Sequence, residues 1–182
     1  MKKIKPTNPR LLAVAPSSRG FGFAVLEGKD TLVNWGGREG SGDKNRGTLV
    51  KVDKLIVQYQ PRVLVLEDDS AKDSRRAPRI RKLTASLVTL ARRRKVRVKV
   101  FSRKTIKSLF LVDGKGTGHD IARVVAERFP EEIGVYLPPK RRAWDNETRR
   151  MDYFKAVALV LAHRLWEAKR TAYRRFPTAS SE

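Results

Sequence analysis

The first part of the chain contains short apolar segments whose pattern predicts β-strands. Residues 10–15 and 20–27 are rich in Val, Leu and Phe, and the polar residues between them form a turn signal, which together predict a hairpin. Residues 31–35 predict a third strand. The glycine-rich polar stretch 36–47 follows and predicts a flexible loop.

In the middle of the chain, helical and strand patterns alternate. Apolar residues recur at helical spacing over residues 49–59 and again over 80–90. Residues 62–67 are apolar on both faces, which is typical of a strand at the centre of a sheet covered by helices. Valines alternate with basic residues over 96–100 and predict a half-exposed strand.

The last part of the chain has predominantly helical patterns. A short helix is predicted over residues 103–110, a glycine loop over 114–118, a helix over 121–129, and a final helix whose apolar stripe runs from Met151 to Leu165. Three strands followed by alternating helices and strands predict an α/β fold with a mixed sheet and helices on its faces. The helical patterns argue against an all-β nucleic-acid-binding fold.

The length and composition predict one domain. The 182 residues, of which 40% are hydrophobic, are enough for a single core, and the sequence contains no internal repeat. We expect a folded domain over residues 10–172, with a flexible basic arm over 1–9 and a flexible tail over 173–182.

Targeting signals and cysteine chemistry are not indicated. No apolar run is long enough to span a bilayer, and prolines interrupt the basic N-terminus where a signal peptide would be apolar. We therefore expect a cytoplasmic protein that does not bind membranes. The sequence has no Cys, which excludes disulfides, thiolate metal sites and cysteine nucleophiles.

The net charge of +22 indicates a polyanionic partner. Nucleic acid is favoured, because Lys and Arg that bind phosphates release condensed counterions. A basic membrane-surface protein normally concentrates its charge on one amphipathic helix, whereas this charge is spread over many segments. An acidic protein is the third possible partner.

Five motifs occur in an order along the chain that is typical of a known fold family. They are the strand and turn Leu11–Gly20, the apolar strand that ends at Glu67, the segment Phe101–Lys107, the glycine loop Gly114–Ala122, and the helix segment Asp152–His163. Together they resemble the RuvC-like Holliday junction resolvases of the RNase H-like superfamily over residues 10–165. The resemblance implies a mixed five-stranded sheet with helices on both faces, a homodimer, and branched or double-stranded DNA as the partner.

The resemblance also identifies a degenerate acidic centre. Resolvases of this family use four carboxylates to hold divalent metal, and the matching positions here are Ala15, Glu67, Asp152 and Lys155. Glu67 and Asp152 are the implied metal ligands and catalytic residues, with Mg²⁺ or Mn²⁺ as cofactor if cleavage persists and no cofactor otherwise. Lys155 could neutralise these two acids in place of a metal ion. Asp69 is a further catalytic candidate, because side chains alternate along a strand and Asp69 then shares a face with Glu67.

Basic residues around the expected strand ends are the candidates for phosphate contact. The loops at 70–82 and 138–150 border the predicted acidic centre, and cations there would contact the backbone without reading base sequence. The predicted nucleic-acid-binding residues are Arg19, Lys72, Arg75, Arg76, Arg79, Arg81, Lys82, Lys115, Arg141 and Arg142.

Three functional hypotheses follow from these features. The first is a RuvC-like DNA-binding protein in which metal-dependent phosphodiester cleavage is lost or weakened. The second is an active Mg²⁺-dependent junction endonuclease that uses Glu67, Asp152 and a recruited acid such as Asp69. The third is a basic RNA-binding structural protein that is unrelated to recombination.

Overall fold

The computed structural model describes residues 8–39, 43–69, 77–142 and 148–175 and contains a mixed five-stranded sheet. The spatial order of the strands is β3-β2-β1-β4-β5. The first three strands pair antiparallel, whereas β1 pairs with β4, and β4 with β5, in parallel. The strand bounds are β1 Arg10–Pro16, β2 Gly20–Glu27, β3 Thr31–Glu39, β4 Val63–Glu67 and β5 Arg97–Phe101.

Helices cover both faces of this sheet, which confirms the predicted fold class. Helices α1 and α2 pack on one face, and α3, α4 and α5 pack on the other. The helix bounds are α1 Lys44–Tyr59, α2 Pro78–Arg93, α3 Arg103–Phe110, α4 Gly118–Arg128 and α5 Arg150–Arg175. None of the described helices is both long enough and apolar enough to cross a membrane.

Strand alternation divides the core into two layers. In β1, Leu11, Ala13 and Ala15 face α5, and Leu12 and Val14 face α1 and α2. The middle of α5, residues 156–163, is buried on every side, because the sheet and the helices α3 and α4 enclose it. The single apolar stripe predicted for this helix therefore underestimates its burial.

The prediction of a flexible loop over residues 36–47 is wrong at both ends of that range. Strand β3 continues to Glu39, and a Cβ atom on Gly37 would lie 2.5 Å from the ring of Tyr153 on α5. The glycine thus allows close packing within a strand. At the other end, Asp43 caps α1 by accepting hydrogen bonds from the amides of Asn45 and Arg46, so helix α1 begins earlier than predicted. Residues 40–42 lie outside the described residues.

The last helix also ends later than the apolar pattern indicates. Helix α5 continues to Arg175, past the point at which the predicted tail begins. This terminal part carries exposed Lys and Arg and no apolar stripe, so hydrophobic periodicity gives no signal for it.

A buried histidine lies in the second half of α5. His163 is 4% exposed, and its ring packs against the rings of Phe101 and Trp166. Its Nδ1 lies 3.4 Å from a carboxylate oxygen of Glu167. Burial lowers the pKa of His163, and Glu167 opposes that shift. Nearby cations lower the pKa further: Arg164, Lys99 and Arg97.

We expect His163 to make stability fall with acidification. The unfolded chain takes up a proton on this ring near the ordinary pKa of 6.5, and the folded chain takes it up only at lower pH. The contribution of His163 to the free energy of unfolding is therefore fully present above about pH 6.5. Below that pH it decreases, with a slope approaching about 1.4 kcal/mol per pH unit. Urea unfolding at pH 7.5, 6.5 and 5.5 measures this slope.

The variant His163→Gln is the matched control for this pH dependence. It lacks the titrating ring, whereas the carboxylates titrate in both proteins, so its stability should fall less between pH 7.5 and 5.5. Parallel stability curves for the two proteins would contradict the assignment.

Candidate nucleic-acid interface

An open cleft of about 890 Å³ lies where β4 and β5 end and α5 begins. Glu67 is the last residue of β4 and lines this cleft. Ala13 lies beside Val65 in the parallel register of β1 and β4, and continuing that register by two residues puts Ala15 beside Glu67. Ala15 is 4% exposed and faces α5. The position that the resemblance assigns to the first acid thus lies on the same sheet face as Glu67, next to Pro16, which lines the cleft.

Asp152 is held at the cleft by a close contact between a helix and a strand. Gly22 pairs with Ala15 across β1 and β2, and a Cβ atom on Gly22 would lie 2.0 Å from the carbonyl oxygen of Asp152. The first turn of α5 therefore rests directly on the backbone of β2. This contact places the Asp152 side chain in the lining of the cleft.

Lys155 forms an ion pair with Asp152 one helical turn away. Its Nζ lies 3.9 Å from Oδ1 of Asp152, and the two side chains are 31% and 16% exposed. The distance is that of an ion pair and exceeds the length of a hydrogen bond. An ammonium group therefore occupies the part of the cleft where the resemblance implies a fourth carboxylate.

The residues present do not fit the two-metal site that the resemblance implies. Such a site requires several hard oxygen ligands around ions that are roughly 3.5–4 Å apart. Within the described part of the chain, no group of three or more His, Cys, Asp or Glu side chains is arranged to hold a metal ion. Ala15 offers no ligand atom, and Lys155 adds a positive charge at the remaining acids.

Asp69 lines the cleft but is directed partly towards the other sheet face. The residue is 4% exposed, and its Oδ2 accepts a hydrogen bond of 2.7 Å from the Thr84 hydroxyl on α2. Helix α2 covers the face opposite α5. Strand alternation fails to place this oxygen on the face of Glu67, because β4 has already ended at Glu67.

Two of the predicted phosphate-binding residues, Arg19 and Arg141, line the cleft. Arg79 instead donates hydrogen bonds to the carbonyl oxygens of Ser17 at 3.0 Å and Ser18 at 3.3 Å. Arg79 therefore fixes the turn between β1 and β2, which carries Arg19. The predicted residues Lys72, Arg75 and Arg76 lie outside the described residues.

The remaining predicted cations are exposed elsewhere. Arg81 and Lys82 lie on the exposed side of α2, Lys115 lies before α4, and Arg142 follows Arg141. None of these four is among the described residues that line the cleft.

Sequence reasoning missed a basic group on α3. Arg103, Lys104 and Lys107 line the cleft, and Ser102 caps the helix that carries them. The available signal was the parallel strand β5, because ligands of open α/β sheets bind beyond the carboxyl ends of the strands. Arg149 belongs to the predicted basic loop 138–150; it lines the cleft and forms an ion pair with Glu39 at the end of β3.

No protein-family model matches the chain, and no curated protein matches it in sequence. Its similarity to known proteins therefore lies in three-dimensional structure. The Thermus thermophilus RuvC structure matches with a TM-score of 0.67 at 14% identity, covering 89% of this chain and 97% of that chain.

Two further resolvase structures have the same arrangement. The yeast mitochondrial Holliday junction resolvase Ydc2 matches with a TM-score of 0.61 at 12% identity, covering 92% of this chain and 82% of that chain. Fowlpox virus resolvase, solved with Holliday junction DNA, matches with a TM-score of 0.52 at 14% identity, covering 88% of this chain and 98% of that chain. These matches confirm the fold that the sequence motifs predict: the chain has the RuvC-like fold of the Holliday junction resolvases.

Proposed function

We propose that this protein binds branched or double-stranded DNA in the cleft and that its metal-dependent cleavage is lost or weakened. The observation that carries the proposal is the ion pair between Lys155 and Asp152 beside Ala15, in a cleft lined by cations. The electrostatic role of the metal is thereby replaced in part by a protein ammonium group. Phosphate binding remains favourable, whereas activation of water by two metal ions lacks its ligands.

The distribution of charge around the cleft supports a nucleic-acid backbone as the ligand. The basic side chains that line the cleft belong to four segments: the β1–β2 turn, α3, the segment before α5, and the start of α5. They are Arg19, Arg103, Lys104, Lys107, Arg141, Arg149 and Lys155. Phosphates spaced along a duplex would contact such a set without base recognition. Two structural neighbours, T. thermophilus RuvC and fowlpox virus resolvase, were solved with Holliday junction DNA, which supports a branched substrate.

An active endonuclease is the second candidate function. Four acids line the cleft, which favours residual metal binding: Glu67, Asp68, Asp69 and Asp152. The hydrogen bond from Thr84 to Asp69 and the ion pair at Asp152 engage two of them. We rank this candidate below DNA binding without cleavage. The resemblance to resolvases also leads us to propose a homodimer, which light scattering after size exclusion tests.

One assay separates these functions. A labelled four-way junction, a matched duplex and a matched RNA hairpin are incubated with the protein in Mg²⁺, Mn²⁺ or EDTA. We expect salt-sensitive binding that favours the junction, is independent of metal, and produces no nicks. Metal-dependent nicks would instead establish the endonuclease. Binding to RNA alone would overturn the DNA proposal.

The cations of α3 give a direct test of the cleft. The triple variant Arg103→Gln, Lys104→Gln and Lys107→Gln should reduce junction affinity at least about tenfold. The slope of the logarithm of the binding constant against the logarithm of the salt concentration should become less negative. The change should be about 0.9 for each phosphate that the variant no longer neutralises. Fluorescence anisotropy titrations at several salt concentrations measure both quantities.

A matched control removes the same charge from other surfaces. Lys29→Gln, Lys54→Gln and Arg123→Gln are exposed residues that are not part of the described cleft lining. This variant should change affinity by less than about threefold, because its charges act only through the long-range field. Equal losses in the two variants would show that net charge, and not the cleft, determines binding.

A further inference from the structure

A second basic surface lies at the opposite end of the sheet from the cleft. We call it the distal basic surface and define it by residues at the end of α2, along β5 and in the second half of α5: Arg92, Arg93, Lys95, Arg97, Lys99 and Arg170. All of these side chains are exposed except Lys99, which is half-buried. The predicted functional residues include none of them.

Three elements run from the cleft to this surface. The start of α2 and the start of α5 line the cleft at Ile80 and Asp152, and β5 ends at the cleft beside Ser102. At 1.5 Å per helical residue, Arg93 lies about 20 Å along α2 from Ile80, and Arg170 lies about 27 Å along α5 from Asp152. The cations at the ends of α2 and α5 are therefore remote from the cleft, whereas Lys99 and Arg97 lie about 7 and 13 Å along β5 from Phe101, at roughly 3.3 Å per strand residue.

An aromatic cluster holds two cations of the distal basic surface close together. Nζ of Lys99 lies 3.6 Å from the ring centre of Trp166 and 5.1 Å from that of Phe101. The guanidinium carbon of Arg170 lies 4.6 Å from the same Trp166 ring. Burial lowers the pKa of Lys99, and the neighbouring charge of Arg170 lowers it further. The protein thus fixes two like charges whose repulsion a bound anion would relieve.

The acids that border this surface are already engaged. Asp53 accepts two hydrogen bonds from Arg94, at 2.7 and 2.6 Å. Glu167 forms an ion pair of 3.0 Å with Arg164. Among the residues that the structure describes, no carboxylate lies within ion-pair distance of the six side chains that define the distal basic surface.

Structural roles account for only part of this charge. Arg92 and Arg93 lie in the last turn of α2, where cations complement the helix dipole by about 0.3–1 kcal/mol. Arg97 and Lys99 lie on an edge strand, where no helix dipole acts on them. Edge-strand cations can oppose strand pairing between copies, but the adjoining Arg170 lies on a helix.

We propose that the distal basic surface is a second site for a nucleic-acid backbone, so that one molecule bridges two duplex segments. This inference rests on the proposed function, in which the cleft binds the first segment. A nucleic acid is favoured over an acidic protein, because a protein interface needs an apolar centre and the Trp166 ring here already contacts two cations. The chemical class of the ligand is a phosphodiester backbone that is bound without base recognition.

The test is a capture assay with a junction and a duplex. A biotinylated four-way junction, whose arms would occupy both clefts of a dimer, is fixed to beads, and a fluorescent duplex of unrelated sequence is added with the protein of residues 1–182. We expect the wild-type protein to retain the fluorescent duplex on the beads. The triple variant Arg92→Gln, Arg93→Gln and Arg97→Gln should reduce this capture at least about tenfold, while its affinity for one junction changes less than about threefold.

Matched variants and controls distinguish the possible failures. The Lys29→Gln, Lys54→Gln, Arg123→Gln protein carries the same charge change and should capture like wild type. Undiminished capture by the distal variant, or equal loss in the control variant, would overturn the inference. Displacement of the fluorescent duplex by polyglutamate at a much lower charge-equivalent concentration than by unlabelled duplex would also overturn it in favour of an acidic protein. If wild type binds junctions but captures nothing, only this inference fails; if it binds no nucleic acid, the proposed function fails.

Discussion

Replacing Gly22 by alanine is expected to destabilise the protein by about 3–5 kcal/mol, the range of the most damaging single substitutions. The added Cβ would lie 2.0 Å from the carbonyl oxygen of Asp152 and 2.5 Å from its carbonyl carbon. Both atoms belong to the backbone of a buried helix, so no side-chain rotation relieves the overlap. Helix α5 must move away from β2, and the tightly packed layer between them is then disrupted. Urea denaturation followed by circular dichroism measures the loss.

Gly118 provides the matched control for this substitution. It is the first residue of α4, and a Cβ atom there meets no atom within 4 Å. Gly118→Ala should leave stability unchanged or raise it by up to about 1 kcal/mol, because alanine restricts the unfolded chain and favours helix. Equal stability of the Gly22→Ala and wild-type proteins would show that α5 does not rest on β2 in this way.

The same contact connects the fold to the proposed interface. Asp152 reaches the cleft only because α5 approaches the backbone of β2 closely at Gly22. If the Gly22→Ala protein remains folded, the displaced helix would carry Asp152 and Lys155 away from Glu67. We therefore expect any folded fraction of this variant to bind junctions more weakly than wild type.

Local patterns predict most of the fold because they act within single elements. The alternation in β1 and the continuous apolar run of β4 are visible in the sequence, since each strand buries side chains on the faces that its neighbours cover. The order of motifs also indicates that Glu67 and Asp152 belong to one site, and both line the cleft.

The remaining features depend on contacts between distant elements. Gly37 resembles a loop residue in the sequence, and only the ring of Tyr153 shows why a strand needs glycine there. Arg79 resembles a phosphate ligand, but it contacts the carbonyl oxygens of a turn that lies far away in sequence. Arg103 and Lys104 have an ordinary helical pattern, and their role in the cleft depends on where β5 ends.

The cleft and the distal basic surface differ in how their acids and cations pair. In the cleft, cations surround acids, and Lys155 lies against Asp152. At the distal basic surface, the acids pair with other cations, and Lys99 and Arg170 share one aromatic ring. The cleft potential is therefore partly compensated by acids, whereas the acids that border the distal surface pair with Arg94 and Arg164 and leave its own charge to attract anions.

Introducing acids at the two positions where the resemblance implies them should create metal affinity in the cleft. The double variant Ala15→Asp and Lys155→Asp adds one carboxylate on the sheet face of Glu67 and one a helical turn from Asp152. Without metal, the added charge at the buried position 15 is desolvated and repelled by its neighbours, so the variant should be less stable than wild type in EDTA. Mn²⁺ should reverse that loss, because it binds only the folded site; at one hundred times the dissociation constant it contributes about 2.7 kcal/mol.

Thermal unfolding in Mn²⁺ and in EDTA, together with calorimetric titration of Mn²⁺, tests this expectation. The double variant Ala15→Asn and Lys155→Asn is the control, because it introduces side chains of similar size without charge. The control should melt at the same temperature in both conditions, whereas the acidic variant should melt at a higher temperature in Mn²⁺ than in EDTA. If the acidic variant shows neither heat of binding nor stabilisation by Mn²⁺, Ala15 and Lys155 do not occupy the positions of metal ligands. In that case, the proposed loss of cleavage would need a cause other than the identity of these two residues.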